Sequence, residues 1–266
     1  MVLALLLTGL AGCTGATPPP PAAPDPLLTP EAWQPADLVA GTRCAGAPTP
    51  EPVDVLVRVQ LLVGPTVDEP GVLRELQTAI RFWGERGVRL VPAGPARHVA
   101  THALLSGPLD ADRDEEARLD RALAPVRDFV DTHARPPRGR IVVAVLPTIL
   151  TNGSWAADVF QDMVGLAFAS PETSATPADE AARALARHLD LERPHDPVVL
   201  LSRDDLVRQP PWAPPLALAH ELGHALGLEH EADRDNLMRA RQGRCLPDLT
   251  DAQLAQVAAA ARALAR

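Results

Sequence analysis

Apolar residues set out a sequence of short strands and longer helices along the chain. Residues 53–63, VDVLVRVQLLV, are rich in β-branched side chains and predict a strand, after which Val72, Leu73, Leu76, Ala79, Ile80 and Trp83 recur at helical spacing. Gly87 closes that helix, and residues 88–91 read as a second strand. Leu119, Leu123, Val126 and Val130 mark a helix over about 110–134. A buried strand follows at 141–146 and a short one at 165–169, and Thr176-Pro177, with Asp179 as capping-box partner, opens another helix. The last strand is 198–202. Thr250 with Gln253 opens a final helix whose Leu254, Val257, Ala258, Ala261 and Leu264 share one face. No internal repeat is present. The pattern predicts an α+β fold with a mixed sheet of about five strands.

The N-terminal stretch has a different character. Residues 2–10 form an apolar run too short to span a bilayer but suited to the central region of a secretion signal. It leads into Leu10-Ala11-Gly12-Cys13, which resembles a bacterial lipobox, although no Arg or Lys precedes the run. That resemblance implies lipid on Cys13 and a place in the cell envelope; an ordinary signal peptide cut near Gly15-Ala16 is the alternative. Residues 14–52 then hold 11 of the 29 prolines, four of them consecutive at Pro18 to Pro21, the composition of a semi-rigid tether. The expected organisation is therefore a signal at 1–12, a tether at 13–52 and a folded domain at 53–266.

Composition narrows the function classes. The chain has 266 residues with 25 basic and 34 acidic side chains, a net charge of −9, which argues against a nucleic-acid partner. Every basic residue is Arg, and Tyr is absent. Apart from Cys13 only Cys44 and Cys245 remain, and in an oxidising compartment a disulfide between them is the default. Trp33, Trp83, Trp155 and Trp212 read as packing residues, and His98, His102, His133, His188 and His195 as surface residues. Asp110-Ala111-Asp112-Arg113-Asp114 fails as a calcium loop, because Glu115 replaces the required Gly and Arg121 the final Glu. Acidic residues at a helix N-terminus account for it, and no structural calcium is assigned.

The chemistry is concentrated in His220-Glu221-Leu222-Gly223-His224-Ala225-Leu226-Gly227-Leu228-Glu229-His230, which satisfies H-E-x-x-H-x-x-G-x-x-H at every fixed position. His220 and His224, four apart on a helix, project from one face, so both imidazoles can reach one zinc ion. Gly227 tolerates the positive φ of a sharp turn that would bring His230 round as third ligand. Three neutral nitrogens leave a fourth position for water, the arrangement of a catalytic site, beside which Glu221 is placed to act as base.

With that motif the sequence resembles the metzincin metalloproteases. Asp235-Asn236-Leu237-Met238 resembles their Met-turn, at a separation close to the matrixin branch. The astacin arrangement is excluded, because it uses a Tyr ligand. The resemblance implies a zinc endopeptidase with Glu221 as general base, Met238 beneath the imidazoles and the helix at 110–134 as an insertion. It also implies that an extended peptide pairs with an edge strand, here Gly165, Leu166, Ala167, Phe168 and Ala169. Thr42-Arg43-Cys44-Ala45-Gly46 faintly resembles the matrixin latency segment, so a Cys44 thiolate on the metal and a free thiol stand beside the disulfide as readings. Other readings of the whole are a binding lipoprotein on a protease scaffold and a zinc amidase acting on cell-wall peptide. The expected partners are a protein or peptide substrate and a membrane reached through lipid; a monomer is expected. Lipidation has a direct check: Cys13→Ala should move the protein from the membrane to the soluble fraction on detergent phase partitioning.

Overall fold

Among the described residues six strands make one mixed sheet, and their residues explain why it lies in the interior. In the computed structural model the elements are β1 (Val55–Val63), α1 (Pro70–Gly84), β2 (Val88–Pro92), β3 (Arg97–His98), α2 (Glu115–His133), β4 (Ile141–Leu146), β5 (Gly165–Phe168), β6 (Val198–Ser202), α3 (Arg203–Arg208), α4 (Ala217–Ala225) and α5 (Asp251–Leu264). The structure describes residues 30–35, 44, 50–67, 70–101, 103–104, 115–149, 165–170, 189–208, 215–233, 235–239 and 245–266. The expected signal with Cys13, the helix start at Thr176, and His102, His188, Trp155 and Trp212 lie outside these residues.

The strand order is β2-β1-β4-β6-β5, with β3 alongside the end of β1. Every pairing is parallel except β5 on β6. The central strands β4 and β6 are buried at every position, as parallel strands covered on both faces must be. Alternate residues divide between two cores. Ile141, Val143, Val145, Val199 and Leu201 pack with α1, α4 and α5 on one face, whereas Val142, Ala144, Leu146, Val198 and Leu200 pack with Leu123, Val126, Phe129 and Val130 of α2 on the other. The mostly parallel sheet between helical layers agrees with the α+β expectation. Two elements carry no hydrophobic signal and were not expected: β3 is two exposed residues, and of the side chains described in α3, Leu206 is the buried one. No described helix is long and apolar enough to cross a membrane.

One surface assignment is corrected. His195 is 1% exposed, and its Nδ1 donates to the Asp196 carbonyl at 2.7 Å. Asp196, also buried, accepts from the Arg138 and Arg140 backbone N–H groups and from the Arg140 guanidinium. His195 is therefore held inward by a backbone carbonyl, at the residue whose carboxylate closes the start of β4 and β6.

Two points of the expected tether are fixed to the domain. Pro30–Trp33 forms a 3-10 turn whose Ala32 is buried in the core that includes α1. Cys44 is bonded to Cys245 across a sequence separation of 201, and its N–H donates to the Leu246 carbonyl at 3.0 Å. The disulfide removes both the free-thiol and the latency readings of Cys44. A loop of this length should contribute roughly 2–5 kcal/mol by restricting the unfolded chain. Non-reducing peptide mapping should recover the Cys44–Cys245 pair, and the Cys44→Ser/Cys245→Ser double variant should lose stability by about that amount in urea unfolding. Two free thiols in the purified protein would contradict the structure.

Candidate metal centre

The helix that carries the histidines is almost wholly buried: Ala217, Leu218, Ala219, Leu222 and Ala225 all lie in the core. It ends at a point that its sequence dictates. Gly227 adopts φ +86°; its N–H donates to the His224 carbonyl at 2.9 Å and the Leu228 N–H to the Gly223 carbonyl at 3.0 Å. These two bonds form a Schellman motif, in which the left-handed residue favours glycine. The chain then leaves the helix axis, and His230 comes back beside His220 and His224, its ring centroid 5.4 Å and 4.6 Å from theirs.

Hydrogen bonds fix how the rings face. His220 Nδ1 lies 2.8 Å from the Leu237 carbonyl, and His224 Nδ1 lies 2.7 Å from the Leu228 carbonyl. A carbonyl oxygen can only accept, so each Nδ1 carries the hydrogen and each Nε2 is left as a bare lone pair. Those two Nε2 atoms face each other at 3.1 Å. Burial pushes both imidazoles below their ordinary 6.5, His224 to about 4, so no imidazolium proton bridges them at neutral pH. Two facing lone pairs repel unless a cation lies between them. A tetrahedral zinc held at roughly 2.0–2.1 Å would set two nitrogen donors about 3.3 Å apart, and the donor atoms of all three histidines lie within 4.8 Å of one another. The donor set therefore fits a metal ion.

The segment after His230 supports the rings from below. Met238 is fully buried, and a side chain at Gly223 would place its Cβ 2.5 Å from the Met238 Sδ. The thioether thus occupies the space left by a glycine between the two ligands of α4. Asn236 shapes the turn: its Oδ1 accepts the Met238 N–H at 2.8 Å and its Nδ2 donates to Gln253 Oε1 at 2.8 Å. Gln253 in turn completes the capping box with Thr250 at the start of α5. The Leu237 N–H donates to the Asp248 carbonyl at 2.8 Å, and the Asp248 carboxylate is held by buried Arg86 at 2.6 Å.

Glu221 is 9% exposed and packs against β5: a Cβ at Gly165 would lie 2.5 Å from its Cγ. Burial alone pushes its carboxyl up to about 8. Among the described residues β5 pairs with β6 only, so the strand formed by Gly165, Leu166, Ala167 and Phe168 lies at the end of the sheet order, and Ala169 follows it. The second group with metal-ligand geometry, Cys44, Asp235 and Cys245, has both sulfurs in the disulfide and offers no thiolate. Gly165 was expected only as part of the substrate strand and Leu237 only as part of the Met-turn; the packing of Glu221 on Gly165, the space at Gly223 and the backbone groups of Leu237 and Asp248 are contributions that sequence reasoning missed. Two are valued for an absent side chain and two for backbone groups, and neither property leaves a mark in a motif.

No protein-family model and no curated protein matches the chain. Among solved structures it is similar to metalloproteinase-II from Bacteroides fragilis, at 13% identity and a TM-score of 0.42, over 82% of this chain and 56% of that one. The chain thus spans little more than half the length of that protein.

The buried carboxyl gives the metal-free protein a defined pH response. With its folded value raised from 4.5 to about 8, Glu221 contributes stability below its ordinary value that is lost as pH rises through 8. Glu221→Gln removes that loss. In chelator, the variant should match the parent near pH 4.5 and exceed it by about 1–4 kcal/mol at pH 8.5. Thermal unfolding at the two pH values checks this, and an equal difference at both would contradict it.

Proposed function

We propose that this chain is an exported zinc endopeptidase of the metzincin type. The observation that carries the reading is the pair of bare imidazole nitrogens at 3.1 Å, joined by His230 and flanked by the buried carboxyl of Glu221. His220, His224 and His230 would hold the ion and leave a position for water, as catalytic rather than structural zinc sites do. When bound, zinc lowers the pKa of its water and polarises the scissile carbonyl. Glu221 takes a proton as the water oxygen attacks the carbonyl carbon, and returns it to the amine nitrogen as the C–N bond breaks. The leaving peptide therefore departs as a neutral amine, and the carboxylate is restored.

The substrate is a protein or peptide whose extended backbone adds to the edge of β5, where Gly165 to Ala169 offer main-chain groups next to Glu221. Recognition through main-chain groups gives affinity without demanding one sequence, and small Ala167 and Ala169 leave room for the approach. Residues 1–12 direct export, lipid on Cys13 anchors the protein to the cell envelope, the part of the expected tether that precedes the core contact of Ala32 links that anchor to the domain, and the catalytic domain works as a monomer. Tethering would keep the site close to the membrane surface, where envelope proteins are its accessible substrates.

Glu221→Gln should keep its zinc, because the three ligands remain, and lose about 10²–10⁴ in kcat/KM on a peptide library. His224→Ala should lose the metal itself, measured by elemental analysis after dialysis. Hydrolysis blocked by a hydroxamate distinguishes the peptidase from a binding lipoprotein, and activity of Glu221→Gln within a few-fold of the parent would reject the mechanism.

A further inference from the structure

The helix that presents His220 and His224 starts without a cap of its own. Leu216 occupies the capping position and makes no side-chain capping bond, and the two residues before it are Pro214 and Pro215. The first backbone N–H groups of a helix have no partner within it and need one from outside. These residues are buried from water: Leu216, Leu218 and Ala219 are each 2% exposed or less, and Ala217 is 7% exposed. The partner comes from elsewhere in the fold: Glu75, on α1 and 143 residues away in sequence, accepts the Leu218 N–H at 3.1 Å through Oε2 and also takes the Ala217 N–H. Glu75 is itself 3% exposed.

We propose that Glu75 is a positioning residue for the metal centre, capping α4 from a neighbouring helix and thereby setting where the helix holds His220 and His224. The inference rests on the reading of these histidines as metal ligands. Leu218 is two residues before His220, about 3 Å along the axis, so an anchor at Leu218 leaves little slack at the ligand. The same helix α1 controls the other side of that ligand. Arg86, just past the end of α1, donates to the Phe82 carbonyl and holds Asp248, whose carbonyl accepts the Leu237 N–H, and the Leu237 carbonyl accepts His220 Nδ1–H. The backbone and the ring of His220 are thus referenced to one rigid element. Burial pushes the Glu75 carboxyl up to about 8, while the two N–H groups pull it down. A protonated carboxyl still has an oxygen that accepts, so capping does not require the charge.

The test uses the full chain, zinc titrated against a chromophoric chelator, and the visible spectrum of the cobalt-substituted protein. Glu75→Met keeps the volume and removes the acceptor; zinc affinity should fall about 10–100-fold and the cobalt bands should shift or weaken. Glu75→Gln keeps an acceptor oxygen and should stay within about threefold of the parent, with the parent spectrum. A Glu75→Met protein that melts earlier yet binds zinc with unchanged affinity and spectrum would overturn the proposal, as would a loss in Glu75→Gln equal to that in Glu75→Met. Should Glu75→Met fail to fold, Glu75→Asp draws the carboxyl back by one methylene and carries the same expectation at about tenfold; unchanged affinity there also overturns it. A parent protein that binds no zinc rejects the metal-centre reading itself, and lack of peptidase activity in a zinc-binding parent rejects only the endopeptidase reading.

Discussion

Everything around the site follows from the need to hold two imidazole lone pairs, those of His220 and His224, facing each other beside His230. Facing acceptors 3.1 Å apart are repulsive, and an imidazole left free would turn away or protonate. The fold prevents both. Carbonyls of Leu237 and Leu228 claim the Nδ1 hydrogens, and burial disfavours the imidazolium. Repulsion that the fold sustains in this way becomes affinity for a cation, so supporting hydrogen bonds are as much part of the site as the ligands.

Those supports come from four different parts of the chain. The Gly227 turn is held from α5 by Gln256, which donates to the Gly227 carbonyl at 2.5 Å. The turn at Met238 is shaped by Asn236 and locked to α5 through Gln253, and it is paired to Asp248, which Arg86 secures. Three residues before Asp248, the disulfide fastens Cys245 to Cys44. A buried ion pair is weak evidence of stability on its own; here Arg86 and Asp248 matter because the backbone of Asp248 carries the segment that orients His220.

The electrostatic character of His220, His224, Glu75 and Glu221 is set by their burial. Glu75 and Glu221 are both raised to about 8, and His220 and His224 are lowered, so burial favours the neutral form of each of these four groups. Such a site binds a cation with neutral nitrogens and responds strongly to the charge the ion brings, because few solvent dipoles remain to screen it. The two carboxyls have separate tasks. Glu75 meets the start of α4, where backbone N–H groups are its partners, whereas Glu221 lies against Gly165 of β5.

The sequence by itself determined the features that repeat or that recur at short range. Apolar runs located 141–146 and 198–202, helical spacing located α1 and α5, Thr250 and Gln253 announced their capping box, and the histidine spacing named the three histidines that the fold brings together. Those signals are local, because periodicity and turn chemistry act over a few residues. Tertiary structure decided the rest. Glu75 meets Leu218 across 143 residues, Gly165 meets Glu221, Gly223 admits Met238, and His195, with polar neighbours in sequence, is buried beside Asp196. β3 and α3 bury too few side chains to make a pattern. In each case the deciding contact joins residues far apart in sequence, or relies on a backbone group or an absent side chain, and no local pattern of residue types records either.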